Sequence, residues 1–189
     1  MLEPLLNHIA RFVKLNPDEQ RILTEHLSVK RVEKKEYLLT EGDICNANYF
    51  IAKGCFRMYF IKDNGQEQIV AFGIDNWWIT DYTSMEAHKP SLYYIQAVED
   101  SEVIVLSKTN RDIVFDKVPL TERYFRILLQ RLHAASITRL TYLFEQSAEE
   151  RYHNMNNSFP EFVQRVPQYM LASYLNITPE VLSKIRAKK

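Results

Sequence analysis

The sequence has only two cysteines, Cys45 and Cys55, in 189 residues. Two thiols are too few for a disulfide framework or a four-thiolate iron–sulfur site, and they read as reduced structural thiols. Net charge is missing too: 24 Lys and Arg balance 24 Asp and Glu. No overall basic field announces nucleic acid, so charge must be sought locally. No window approaches the roughly 18 apolar residues that a membrane-spanning helix requires. The opening MLEPLLNHIARFVKLNPDEQ mixes acids and polar residues among the apolar ones. A signal peptide has instead a basic start and a continuous apolar core. The expected location is the cytoplasm, with no membrane partner. Catalytic signatures are absent as well: there is no Gly-rich phosphate loop, no HExxH and no CxxC. His8, His26, His88, His133 and His153 are scattered. Asp81, Glu86 and His88 lie close in sequence, but proximity in a loop does not make an acid–base pair. The chain is expected not to be an enzyme and to hold no metal or resident cofactor.

What is present is an ordinary globular composition, 46% hydrophobic and 25% charged, able to bury a sizeable core. Leu5, Ile9, Phe12 and Val13 follow helical spacing. Asn16-Pro17-Asp18-Glu19 starts a second helix, with Asn as cap, Pro at the first position and acids in the first turn. From Val29 to Ser107 the pattern changes to short runs rich in Tyr, Phe, Ile and Val. Asp63-Asn64-Gly65 is a hairpin signal between Phe56–Ile61 and Gln68–Phe72. Closely spaced short strands of this kind predict a sandwich or barrel.

Asn110–Phe115 can form a short helix. Leu120–Glu145 then contains neither Gly nor Pro and reads as one long amphipathic helix, almost 40 Å at about 1.5 Å per residue. Leu128, Leu132, Ala135 and Tyr142 are spaced to seat a partner helix; the plainer reading packs the same stripe on the chain's own sheet. Ser147 caps a helix through Arg151 to Met155. The Asn156-Asn157-Ser158 cluster is expected to break it, and Phe159-Pro160 to begin a connector.

The last six residues hold four cations, Lys184, Arg186, Lys188 and Lys189. Just before them, Pro167 fits the first turn of a helix carrying Met170, Leu171, Ala172 and Leu175. Asn176 stands where the chain must turn sharply, and Asn enters the left-handed region cheaply. Ile177 would anchor the turn in the core. Thr178 caps a second helix with Pro179 first and Glu180 in its first turn. Val181, Leu182 and Ile185 supply a buried face; Ser183, Lys184 and Arg186 an outer one. Two short helices, a tight turn and a small residue at the crossing are the logic of helix-turn-helix. In that motif Lys184 would donate to guanine, Glu180 accept from cytosine and Ser183 suit either, with Gln168 near a phosphate. A helical hairpin with an exposed basic end is the simpler alternative.

QYMLASYLNITPEVLSKIR resembles the DNA-binding motif of the Crp/Fnr bacterial transcription regulators. Independently, LLTEGDICNANYFIAKGCFRMYF is similar to the start of a cyclic-nucleotide-binding β-roll, with Glu41-Gly42-Asp43 and Gly54 at its turns. The long helix resembles the family's central dimerisation helix. The resemblance covers nearly the whole chain in order. It implies an α+β fold: a double-stranded β-helix (jelly-roll) sensor domain over 1–118, a dimerisation helix over 119–146 and a helix-turn-helix domain over 147–189. It also implies a homodimer on a palindromic double-stranded DNA site, with RNA polymerase as a further candidate partner. Carried over, Glu180, Ser183 and Lys184 read bases, and Thr178, Gln168 and Arg186 contact the backbone.

Two departures matter. Many relatives have Arg where this chain has Pro179, which has no donor for a guanine edge or a phosphate, so half-site preference should differ. Cyclic-nucleotide binders of this fold use Gly-Glu for the ribose hydroxyl and a later Arg for the phosphate. Here Thr80-Asp81 and Ser91-Leu92-Tyr93 stand in those places, and Lys89 offers no bidentate fork. Binding of cAMP or cGMP in the usual manner is not expected. Trp77, Trp78, Asp81, Tyr82, Tyr93 and Tyr94 are candidates for a pocket holding an unidentified small-molecule effector, or simply fill the roll. Redox sensing is also weak, for want of cysteines and of an assignable haem ligand. A β-roll sensor acting through protein partners, without sequence-specific DNA binding, is the alternative function.

Overall fold

The computed structural model describes residues 2–187. Two short helices open the chain, α1 (Glu3–Ala10) and α2 (Pro17–Glu25). The start of α2 is set by local chemistry: Asn16 and Glu19 form a reciprocal capping box, with Pro17 at the first position. Eight strands follow: β1 (Ser28–Val32), β2 (Tyr37–Leu39), β3 (Ala47–Lys53), β4 (Cys55–Ile61), β5 (Glu67–Ile74), β6 (Trp78–Ile79), β7 (Tyr94–Ala97) and β8 (Ser101–Ser107). A short helix α3 (Tyr82–Ala87) lies between β6 and β7. The strands form two four-stranded sheets, in the orders β1-β8-β3-β6 and β2-β7-β4-β5. This is the jelly-roll architecture expected from the sequence. Non-consecutive neighbours in both sheets follow from the roll's long connections, and β1, β3 and β8 pair antiparallel. The Asp63-Asn64-Gly65 turn joins β4 to β5, with the Gly65 N–H donating to the Lys62 carbonyl at 2.8 Å. Gly54, at φ +128 between β3 and β4, admits no side chain: a Cβ there would lie 2.0 Å from Ser101 Oγ.

The rest of the described chain is helical: α4 (Lys108–Lys117), α5 (Pro119–Glu145), α6 (Ala148–Ser158), α7 (Pro160–Arg165), α8 (Gln168–Leu175) and α9 (Pro179–Ala187). Ser147 caps α6 through a second capping box with Glu150. Two expectations need correction here. The Asn156-Asn157-Ser158 cluster does not break α6, which runs through Ser158. Pro160 begins a helix rather than a connector, because a first-position Pro suits α7 and its Phe162 and Val163 are buried.

By proximity the chain divides into two compact units. One comprises residues up to Met58 together with Phe72–Gln130; the other comprises Tyr59–Ala71 and the chain from Arg131 on. This grouping cuts α5 between Gln130 and Arg131 and joins the β4–β5 hairpin to the C-terminal helices. Grouping by chain order alone sets the long helix apart.

In the first unit, Leu5, Ile9, Leu23, Phe50, Ile104, Leu106, Val114, Tyr124 and Phe125 form one buried cluster. A polar chain crosses it. Trp78 Nε1 donates to Tyr124 Oη at 2.8 Å, and Tyr124 Oη lies 2.7 Å from His8 Nδ1. An indole only donates, so Tyr124 Oη accepts from Trp78; it gives its own proton to His8 Nδ1 when the imidazole is neutral with its hydrogen on Nε2. Burial pushes the Tyr124 phenol up, so it stays a donor. Burial, and then the Arg11 charge, lower the His8 pKa. The unfolded chain therefore takes up this proton first as pH falls. The His8 contribution is complete above about pH 6.5 and is lost from there down towards the lower folded value. Thermal melts at about pH 7.5 and about pH 5.5 should show a fall in Tm on acidification that is smaller in His8→Gln. Equal falls in both proteins would place the acid sensitivity elsewhere.

Candidate nucleic-acid interface

In the second unit, Tyr152, Phe162, Val163, Val166, Met170, Leu171, Ala172, Leu175, Leu182 and Ile185 are buried. These side chains come from α6, α7, α8 and α9 and from the α7–α8 link. The turn between α8 and α9 is set by Asn176, which sits in the left-handed region at φ 55, ψ 48. The Ile177 N–H reaches back to the Ala172 carbonyl at 3.0 Å, the long-range bond of a Schellman ending. Ile177 is half-buried rather than sunk in the core. Thr178 Oγ1 accepts from the Val181 N–H at 3.3 Å and so caps α9, with Pro179 first in the helix.

Leu182 and Ile185 turn inward and Glu180, Ser183 and Lys184 are exposed. Positions i, i+3 and i+4 share one helix face, so the three candidate base readers stand together. Val181, expected on the buried face, is instead 38% exposed. It lies on the shoulder of the helix, one residue out of step with Leu182. A hydrogen bond from the Thr178 hydroxyl, then one from a backbone N–H, then the Lys184 charge, lower the Glu180 pKa. Its carboxylate is therefore ionised at neutral pH and acts only as an acceptor.

Two of the three candidate backbone contacts, Gln168 and Arg186, also come together, whereas Thr178 lies at the other end of α9. Gln168 and Arg186 line one open groove of about 440 Å³, with Gln164, Arg165, Val166 and Pro167. Two guanidinium groups and no carboxylate line it. No side chain caps the start of α8, so amide N–H groups are available beside Gln168 for an anion. Arg165 is the residue that sequence reasoning missed. It fell in the stretch expected to be a connector, and only helix α7 brings it to this groove.

Several of the effector candidates are engaged by neighbouring groups, and Asp81 and Tyr93 meet at Ser91. Trp78 is taken up by Tyr124 and packs edge-on to Phe50. Asp81 is 2% exposed and its carboxylate is fully engaged. It accepts from the Thr83 and Ser84 N–H groups at 2.9 and 3.2 Å and from the Ser91 hydroxyl at 2.7 Å. Tyr82 Oη accepts from Asn48 Nδ2 at 2.9 Å, and burial raises its pKa. Tyr94 Oη donates to Glu41 at 3.0 Å beside Tyr37. Tyr93 is half-buried, and its N–H donates to Ser91 Oγ at 2.9 Å. Trp77 is 43% exposed. Along α5, Leu128 packs against the first unit's core, whereas Leu132, Ala135 and Tyr142 are exposed. Lys188 and Lys189 lie outside the described residues. Among the described residues no helix is long and apolar enough to cross a membrane, and no cluster of His, Cys, Asp or Glu is placed to hold a metal ion.

The cyclic nucleotide-binding domain family matches residues 29–116, the span of the roll and α4. The anaerobic regulatory protein of Haemophilus influenzae is 24% identical over 168 residues, covering 82% of this chain and 64% of that protein. The transcriptional regulatory protein btr of Bordetella pertussis is 26% identical over 195 residues, covering 96% of this chain and 79% of that protein. The matched domain and these relatives support a Crp/Fnr-type transcription regulator. Among solved Crp/Fnr-like structures, the c-di-GMP-responsive global regulator CLP of Xanthomonas campestris superposes with a TM-score of 0.74 at 11% identity, covering 92% of this chain and 91% of that one. That likeness carries the fold of the Crp/Fnr regulators, roll and C-terminal helices alike. The aligned part spans less than two thirds of the Haemophilus relative's own length.

Proposed function

We propose that this chain is a homodimeric, cytoplasmic transcription regulator of Crp/Fnr type that places α9 in the major groove of a two-fold symmetric DNA site. The observation that carries the reading is the α8–α9 pair itself. A left-handed Asn176 turn joins the two helices; Glu180, Ser183 and Lys184 share the exposed face; and Arg165, Gln168 and Arg186 line a groove without carboxylates. Bases would be read by that face, while the groove and the start of α8 hold backbone phosphates. Exposed apolar residues along α5 supply the seam for a second copy. The reading needs no resident metal or cofactor, and RNA polymerase is a further partner.

The roll acts in this reading as a sensor that does not take cAMP or cGMP in the usual way. Asp81, where the ribose-binding Glu would stand, is consumed by capping α3 and holding Ser91. No Arg lies between Thr80 and Tyr94 to neutralise a cyclic phosphate.

Purified protein challenged with genomic fragments at low salt should enrich a palindromic sequence, protected in footprints as two half-sites about one DNA turn apart. Calorimetry with cAMP and cGMP should show no heat. Failure to enrich any sequence, even with cell extract as an effector source, would sink the regulator reading and leave a roll that works through protein partners. Micromolar binding of either nucleotide would overturn the sensor assignment alone.

A further inference from the structure

Strand β5 stands at the end of the order β2-β7-β4-β5, so one side of its backbone has no strand partner. Within the second compact unit, helix α8 supplies the missing partners. Ser173 Oγ accepts from the Ile69 N–H and donates to the Glu67 carbonyl, both at 2.9 Å. Gln68 Nε2 donates back to the Ser173 carbonyl at 2.6 Å. Arg139, from α5, donates from Nη1 to the Val70 carbonyl at 2.7 Å and from Nη2 to the Tyr174 carbonyl at 3.1 Å. Its guanidinium carbon lies 4.0 Å from the centroid of the Tyr174 ring. Arg151, from α6, donates from Nε to the Leu175 carbonyl at 3.2 Å and from Nη1 to the Gln146 carbonyl at 2.6 Å.

Three successive carbonyls at the end of α8 are thus held by side chains from β5, α5 and α6. The last carbonyls of a helix lack partners within it, and that end carries partial negative charge. Two guanidinium groups there answer both needs. Arg139 does more than neutralise, because its planar fork spans a strand carbonyl and a helix carbonyl at once. A lysine ammonium keeps the charge without that geometry.

We propose that Ser173 and Arg139 are positioning residues that fasten the first helix of the DNA-binding pair to strand β5, so that α9 is presented from a fixed base. The proposal rests on the DNA-binding reading above. Both residues act at the end of α8 opposite Gln168, away from the groove. Strand β5 continues to Ile74, beyond the residues that belong to the second unit.

Three measurements on the full chain test this: amide hydrogen exchange, native mass spectrometry, and DNA binding to the selected palindrome. Ser173→Ala should expose the Ile69 amide to faster exchange. Ser173→Ala and Arg139→Lys should each remain dimeric and bind the palindrome about 10-fold more weakly. Base preference and the slope of affinity against salt should match the wild type, since neither residue touches a base or a phosphate. Four results would overturn the proposal: wild-type affinity in both variants, full rescue by Lys at 139, a shallower salt slope, or unchanged exchange at Ile69. A wild type that binds no duplex would instead sink the DNA-binding reading, while exchange at Ile69 would still report whether the fastening forms.

Discussion

Leu132→Glu is expected to leave each protomer folded, convert the dimer to monomers in native mass spectrometry, and weaken binding to the palindrome by about 100-fold or more. On the proposed reading, two recognition helices act together only because α5 holds them in one molecule, and such linkage adds roughly 10²–10⁴ to affinity. The stripe that would form the seam is exposed: Leu132 is 57% exposed and Tyr142 40%, and Ala135 is exposed between them. Fully burying one such side chain against a second copy gains about 1.5–3 kcal/mol. The substitution removes that gain and brings two carboxylates face to face across a two-fold axis, which adds repulsion. Leu132 is the informative position because little of it is buried within the protomer. Leu128 packs against the core of the first unit, so a charge there would confuse folding with assembly. A Leu132→Glu protein that remains dimeric and binds with wild-type affinity would place the seam off this stripe.

Lys184→Ala should cost about 1–3 kcal/mol per half-site, roughly 5- to 150-fold, on the selected sequence and little on unrelated duplex. Lys184 is exposed on the face that also carries Glu180 and Ser183, and a base-edge contact discriminates where a phosphate contact does not. Its loss should relax preference at one base pair of each half-site. Arg186→Ala is the contrasting case. Arg186 is half-buried and lines the groove beside Gln168, so its loss should weaken all sequences alike and reduce the salt slope by about 1 per half-site. Pro179 makes the Lys184 effect more visible, because its ring contributes no donor and leaves fewer contacts to share the specificity. Equal weakening of every sequence by Lys184→Ala would reassign Lys184 to the backbone.

How much of this was legible depended on the range of the interaction that decides each feature. Asn16, Ser147 and Thr178 cap helices through groups three residues away, and Asn176 needs only its own backbone freedom, so all four were readable. The Asp63-Asn64-Gly65 hairpin and the short runs of Tyr, Phe, Ile and Val in the roll were local in the same sense. Helix α7 was not, because what makes it a helix rather than a connector is the burial of Phe162 and Val163 by the rest of the unit. Arg165 was lost with it. Val181 was misplaced because a short apolar run does not reveal which member sits on the shoulder. Two of the effector candidates have partners that no local pattern shows: Trp78 meets Tyr124, 46 residues on, and Tyr82 meets Asn48, 34 residues back. Ser173 and the edge of β5 are more than a hundred residues apart, and no periodicity marks such a contact.

The most direct measurement is a pair of fluorescence anisotropy titrations of the wild-type protein, on the selected palindrome and on a scrambled duplex of the same composition. A dimer that reads bases through α9 and neutralises about six phosphates should prefer the palindrome by about 1000-fold or more. Its affinity should fall roughly 1000-fold between about 50 and about 200 mM salt. Equal and salt-insensitive affinity for the two duplexes, with or without cell extract, would contradict sequence-specific DNA binding by the α8–α9 pair.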